Sequence, residues 1–228
     1  TIERLTDMQN REQAVAYRQY VDSPDFQLVR AKLRAMQGTP GEAVKDFELL
    51  LRDKKYSSEI SARYGLAFAL YRARDWAGAE REMLVARRLK VSSAMLERLL
   101  ADIRSAKGDT GGGLALYREA MLRYPLNLAV VYGYGQALIG AKRFPEALKF
   151  AEAQSQMYPQ DIRLHKMRAE SYAGLGKRAQ QHLALSEVFL LQGQTMGAIE
   201  QLNIAQRSGD ADFYTMSTID SRQRELKR

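Results

Sequence analysis

Apolar and polar positions interleave at helical spacing along nearly the whole chain, and short breaks interrupt them. The breaks carry turn chemistry. Gln37-Gly38-Thr39-Pro40, Ala106-Lys107-Gly108-Asp109 and Leu175-Gly176-Lys177 place Gly where a helix C-terminus needs it. Pro40 and Pro145 stand near helix starts, where a missing N–H costs least. The pattern predicts helices throughout, with a leading helix over 2–20 and later ones at about 162–175, 180–192, 196–207 and 212–227.

Small residues also recur at long range. Ala43, Ala79, Gly113 and Ala147 are separated by 36, 34 and 34 residues. That period is the one of the tetratricopeptide helix-turn-helix repeat. Its pattern has small residues at positions 8, 20 and 27, a large apolar or aromatic residue at 24 and often Pro at 32. With those four residues at position 20, position 8 becomes Ala31, Ala67, Ala101 and Gly135. Position 24 becomes Phe47, Met83, Tyr117 and Ala151, and position 27 becomes Leu50, Ala86, Ala120 and Gln154. Position 32 becomes Lys55, Val91, Pro125 and Pro159.

The physical content of the pattern is packing. Helix A and helix B of a unit cross closely only where one side presents Ala or Gly, and the residue at 24 fills the gap to the next unit. One unit cannot bury its own apolar face, so units must stack. The predicted fold is all-α: a right-handed tetratricopeptide-repeat superhelix, or α-α solenoid, of about four to five repeats plus extra helices.

Beyond Ala147 the rhythm changes. The next match is Ala198, 51 residues on, with Leu202 at position 24 and Ala205 at 27. An inserted, unpaired helix accounts for the gap, and the helix from His182 to Gln192 can close one unit and open the next. The expected organisation is a leading helix over 1–22 and four tandem repeats over 23–160. Residues 161–228 would hold the extra helix, a final repeat-like pair and a capping helix. Arg222, Arg224, Lys227 and Arg228 suit the C-terminus of that cap.

Composition narrows the function more than the fold. Hydrophobic residues make up 46% and charged residues 27%, an ordinary folded balance. The net charge of +8 comes from 35 basic and 27 acidic residues scattered among one another, with no basic run interleaved with aromatics, which argues against nucleic acid. There is no Cys, so disulfides and thiolate metal sites are excluded. No apolar run reaches the ~18 residues of a membrane span. The chain opens with Thr1 rather than Met and reads as a piece of a longer protein, so the lack of a signal peptide says little about compartment.

Catalytic templates fail one by one. The two histidines, His165 and His182, lie outside any H-E-x-x-H motif, and His165 falls at a packing position of the repeat. There is no G-x-S-x-G elbow. Gly108-Asp109-Thr110-Gly111-Gly112-Gly113 lacks the preceding strand and the closing G-K-[ST] of a phosphate loop, and reads as an interhelical turn. No catalytic, cofactor or metal site is expected in this chain.

The expected working surface is a groove. In this architecture helix A lines the inner face, and positions 5, 9 and 12 point into it. These are Tyr64, Phe68 and Tyr71 in the second unit and Arg98, Asp102 and Ser105 in the third. They are Tyr132, Gln136 and Ile139 in the fourth, and Lys166, Glu170 and Ala173 in the half-unit that follows. Periodicity alone leaves core and groove as alternatives for the three aromatics, and the register favours the groove. Tyr and Arg in such a channel are the residues that anchor a bound peptide.

Both ends of the chain add a resemblance. Thr1-Ile2-Glu3-Arg4-Leu5-Thr6-Asp7-Met8-Gln9-Asn10-Arg11 is similar to the stretch T-x-E-R-[IL]-x-D-x-x-N-R that closes the catalytic domain of bacterial periplasmic zinc metallopeptidases. Asp212-Phe213-Tyr214, Ile219-Asp220-Ser221-Arg222 and Arg224-Glu225-Leu226 look like that family's C-terminal helix. Asp25-Phe26 and the segment from Gln192-Gly193 to Ala198-Ile199-Glu200-Gln201-Leu202 also resemble it. The likeness is to the C-terminal repeat domain of β-barrel assembly-enhancing proteases.

The resemblance implies a periplasmic zinc endopeptidase as the parent, with zinc bound upstream and residues 1–22 closing the protease domain or linking to it. The repeat domain would dock on the outer-membrane β-barrel assembly machinery, engage its substrates and lie against the parent's own protease domain. The family's zinc ligands and catalytic Glu have no counterparts here. The alternative is a stand-alone tetratricopeptide adaptor unconnected to proteolysis.

Overall fold

The computed structural model describes residues 23–226. The predicted leading helix, the Thr1–Arg11 resemblance and the cations Lys227 and Arg228 lie outside the described residues. Among the described residues there are twelve helices and no strand. The chain divides into two compact units, one ending at Pro125 and one starting at Leu126.

The first unit holds α1 (Pro24–Met36), α2 (Pro40–Arg52), α3 (Glu59–Arg72), α4 (Trp76–Arg88), α5 (Ala94–Ala106) and α6 (Thr110–Arg123). The starts are legible. Ser23, Thr39, Ser58, Asp75, Ser93 and Asp109 each cap a helix with a side-chain oxygen on a backbone N–H. Thr39 and Glu42 complete a capping box, and Pro24 and Pro40 open their helices. Consecutive helices pack as the hairpins α1–α2, α3–α4 and α5–α6, and α2 and α4 each pack on the following helix A.

The close crossing that the repeat requires is present. A Cβ on Gly113 of α6 would lie 2.1 Å from Ser105 Oγ and 3.0 Å from the Ala101 carbonyl oxygen of α5. Repeat positions 8 and 20 therefore face each other with no room for a side chain. Phe47, at position 24, packs on the next helix A. A Cβ on Gly65 would sit 2.2 Å from its ring. Ala31, Ala67 and Ala101, all at position 8, are buried in their hairpins.

The second unit holds α7 (Leu128–Gly140), α8 (Phe144–Met157), α9 (Ile162–Gly174), α10 (Arg178–Leu191), α11 (Thr195–Arg207) and α12 (Phe213–Leu226). Gly135, the fourth position-8 residue, is buried, and a Cβ there would lie 2.2 Å from Met167 Sδ of α9. Leu202, Ala205 and Ile219 form the core where α11 meets α12.

The hairpin turns explain the change of rhythm. Each joins helix A to helix B through three residues, and the middle one is left-handed. These are Gly38, Arg74, Gly108, Lys142 and Gly176. The sixth turn of this kind, centred on Gly193, joins α10 to α11 only 17 residues after Gly176. So α10 is the second helix of one hairpin and the first of the next, and it packs on both α9 and α11. Among the described residues of this unit no separate unpaired helix is inserted; the gap is filled by the shared helix that the sequence reading also allowed. The intervening match was missed because position 20 of that unit, five residues after Gly176 and 34 after Ala147, is Gln181 rather than a small residue.

Candidate functional site

The first-in-hairpin helices of each unit carry the expected groove positions. In the first unit these are α1, α3 and α5. Tyr64 is 3% exposed and belongs to the core, which corrects its placement on an open wall. It shares one buried cluster with Leu28 of α1, Phe47 of α2 and Leu99 of α5, so the neighbouring helices close over it. The Ser93 hydroxyl, at the start of α5, also donates to Asp25 of α1 at 2.7 Å. Burial pushes the Tyr64 hydroxyl well above its ordinary pKa.

Phe68 and Tyr71 are half-buried and pack on the same core. Phe68 stacks on Tyr64, with centroids 6.4 Å apart and planes inclined by 21°. The Lys32 ammonium lies 5.3 Å from the Phe68 centroid, a cation–π pairing. Burial, then the nearby Arg98 guanidinium, lowers the Lys32 pKa. Burial also raises Tyr71, with the Asp102 carboxylate adding to it.

Arg98 and Asp102 are half-buried on α5, 3.6 Å apart. The Tyr117 hydroxyl of α6 donates to Asp102. Burial raises the Asp102 pKa even though Tyr117, Arg98 and Lys32 all favour its charged form. Ser105 turns its hydroxyl to the Ala101 carbonyl (3.0 Å) and serves the hairpin. The result is a face of two aromatic rings bordered by two cations and one carboxylate.

In the second unit α7 and α9 carry the face. The Tyr132 hydroxyl donates to Asp161, the residue that caps α9, and the Arg163 guanidinium lies 4.9 Å from its ring centroid. Burial, with the Asp161 carboxylate next, pushes the Tyr132 hydroxyl up to about 12. The Gln136 amide donates to Glu170 at 3.2 Å. Lys166 and Ala173 are exposed, and Ile139 is half-buried.

The sequence reading missed Lys32, Tyr117 and Arg163 as members of these faces. Lys32 had a signal, because it stands at position 9 of the first repeat. Tyr117 entered only as a packing residue, and Arg163 lies one helical turn before the positions counted.

Neither histidine faces these surfaces. His165 is buried and its Nε2 donates to the Pro159 carbonyl at 2.8 Å, while His182 Nδ1 meets the Gln201 side chain at 2.8 Å. The glycine-rich loop is a helix start, with the Gly112 N–H on Asp109 at 2.9 Å. Among the described residues no group of three or more His, Asp or Glu is placed to hold a metal ion, and no helix is long and apolar enough to cross a membrane.

What such faces can do is bind extended polypeptide. Rings offer apolar contact, and the cations and carboxylates offer charged partners.

Comparison with known proteins bears on the fold. No curated protein matches the chain in sequence. Among solved structures, one similar fold is the C-terminal part of a tetratricopeptide-repeat protein from Cytophaga hutchinsonii. It is 16% identical with a TM-score of 0.62, over 87% of this chain and 78% of that one. Another is MamA from residue 41 onward, from Desulfovibrio magneticus RS-1. It is 16% identical with a TM-score of 0.53, over 75% of this chain and 97% of that one. YrrB, described as a tetratricopeptide-repeat protein with an unusual peptide-binding site, is 16% identical with a TM-score of 0.52, over 82% and 95% of the two chains. Residues 105–170 match the tetratricopeptide-repeat family model, and the fold of the described chain is the one that tetratricopeptide-repeat proteins share.

Proposed function

We propose that this chain is a protein-docking module that takes up segments of partner proteins on the faces of its first-in-hairpin helices. One observation carries the reading. At register positions 5, 9 and 12 the chain places half-buried aromatics beside charged side chains: Phe68 and Tyr71 with Lys32, Arg98 and Asp102, and Tyr132 with the nearby Arg163. Rings held rigid by a core lose little entropy on binding. The chain itself performs no chemistry in this reading.

The finer proposal is that the module belongs to a periplasmic zinc endopeptidase that assists outer-membrane β-barrel assembly and removes failed barrels. Zinc would sit in the parent's upstream protease domain, and the partners would be the assembly machinery, its substrates and that domain. The supporting observation is the sequence likeness at Thr1–Arg11 and at Asp212–Leu226. A stand-alone adaptor is the alternative, and the coding sequence upstream of Thr1 separates the two. An H-E-x-x-H helix there supports the protease reading, and a start codon shortly before Thr1 supports the adaptor.

Photoreactive residues at Tyr71, Arg98 and Tyr132 test the docking faces in cells. Crosslinks to a barrel-assembly component from these positions are expected. Crosslinks only from outward positions such as Leu122 would remove the assignment.

A further inference from the structure

α1 is apolar on two opposite sides. Leu28, Ala31 and Ala35 are buried against α2 and α3. Phe26, Val29, Leu33 and Met36 follow one another in steps of three and four residues, so they line one stripe. That stripe lies away from the buried side and is 38, 43, 58 and 53% exposed. An inner helix of a repeat stack needs two apolar sides because it has neighbours on both, whereas an end helix is polar outward. α1, the first of the described helices, has the outer side of an inner helix.

Charge borders the stripe on one flank. Arg30 and Arg34, one turn apart, reach from α1 into a cleft of about 140 Å³ formed with α2, α3 and the loop between them. Lys55 and the Tyr56 hydroxyl also line it, and among the described residues no carboxylate does. The cleft floor is the Phe47 ring, with the Arg34 guanidinium 5.4 Å from its centroid. Lys55 is shared with Asp53 at 3.4 Å, so the two arginines carry the uncompensated charge.

We propose that this outer side of α1 docks an acidic amphipathic helix from a partner protein, its apolar stripe on Phe26, Val29, Leu33 and Met36 and its carboxylates over Arg30 and Arg34. Charge selects this occupant. A second copy of the chain would set α1 against α1 and bring the arginines of both copies together. The one acid on α1, Asp25, is already engaged by Ser93. The net charge of +8 acts in the same direction. This surface is distinct from the groove faces, so its test and the crosslinking test fail independently.

Fluorescence anisotropy on the full chain tests it with two labelled 21-residue model helices, each with Leu at heptad positions a and d. One carries Glu at e and g, the other Lys. The Glu helix is expected to bind saturably, and the Lys helix about tenfold or more weaker. Leu33→Asp should weaken the Glu helix about tenfold, and Arg30→Glu with Arg34→Glu should reverse the preference. Leu122→Asp, at another exposed apolar residue of the same unit, should change nothing. Circular dichroism checks that each variant keeps its helices. Equal binding of the two helices, no binding of either, or loss with Leu122→Asp alone would overturn the proposal. So would self-association of the free chain that Leu33→Asp abolishes, which assigns the stripe to a second copy. Slow maleimide labelling of Leu33→Cys in this otherwise cysteine-free chain would overturn it too, by showing the stripe already covered.

Discussion

Asp210 reaches back 31 residues to cap the helix that begins beside Ala179, accepting the Ala179 N–H at 3.0 Å and the Arg178 N–H at 2.6 Å. α10 has no side-chain cap of its own, since its N-cap is Lys177. The turn between α11 and α12 therefore completes a helix two elements earlier, and it does so for the helix that two hairpins share. The Ser208 side chain first, and then the two backbone N–H groups, hold the Asp210 pKa below its usual range. A depressed carboxyl stabilises above its ordinary value, and that stabilisation is lost as the pH falls through the native one. Asp210→Ala should lower the melting temperature at pH 7 and speed hydrogen exchange at the Arg178 and Ala179 amides. Its difference from the parent should close in acid. Unchanged exchange at those amides would show that water replaces the cap.

Two neighbouring glycines should respond to alanine with opposite signs. At Gly113 a methyl would meet the Ala101 carbonyl at 3.0 Å and Ser105 Oγ at 2.1 Å, and a backbone carbonyl cannot swing aside. Gly113→Ala should cost about 1–3 kcal/mol through overpacking of the α5–α6 hairpin. At Gly111 the same methyl meets nothing within 4 Å. Gly111→Ala should gain roughly 0.5–1 kcal/mol by restraining the unfolded chain. Urea unfolding of the two variants measures both. Equal and same-signed shifts would contradict the packing role given to position 20.

These particulars show what the sequence could disclose. Close crossings were legible because one residue's size decides each, as at Ala101 and Gly113. Hairpin turns were legible at Gly38, Gly108 and Gly176 and invisible at Arg74 and Lys142, which take the left-handed conformation with a side chain, at an energetic cost. The shared helix was half-legible, because a search for a small residue at the fixed period meets Gln181 there. Tyr64 was misplaced because helical periodicity reports a face and not what covers it. Its cover comes from core side chains of other helices, such as Leu28 and Leu99, and no local pattern carries such a pairing. Asp210 over Ala179 is hidden for the same reason.

Glu80 joins two hairpins electrostatically. On α4, 9% exposed, it lies 2.5 Å from Arg104 Nε and against the Lys107 ammonium, at the C-terminal end of α5. Removing one member of a fully buried pair costs about 3–5 kcal/mol. Here both cations keep more than a third of their side-chain surface in water, which screens the loss. Glu80→Ala should therefore cost about 1–2 kcal/mol, and Glu80→Gln less than that. Denaturant midpoints at low and high salt measure it, with a smaller cost expected at high salt. A Glu80→Ala variant as stable as the parent at low salt would show that the contact is only a surface pairing.

Asp102 should be a charge that the fold tolerates at a loss. Arg98 at 3.6 Å and the Tyr117 hydroxyl favour its ionised form, yet burial outweighs both and raises its pKa. The native state then holds the proton more tightly than the unfolded chain. Stability accordingly falls as pH rises from the ordinary carboxyl value through the native one. Asp102→Asn keeps an oxygen for the Tyr117 hydroxyl and removes the charge. It should raise the melting temperature at pH 7 by roughly 2–4 °C, and the gain should fade as the pH is lowered through the carboxyl range. If Asp102 serves the docking face, the same variant should bind a basic partner segment less well while being the more stable protein. A gain that persists unchanged in acid would place its cause elsewhere than the carboxylate, and a loss of stability at pH 7 would mean that Arg98 and Tyr117 outweigh burial.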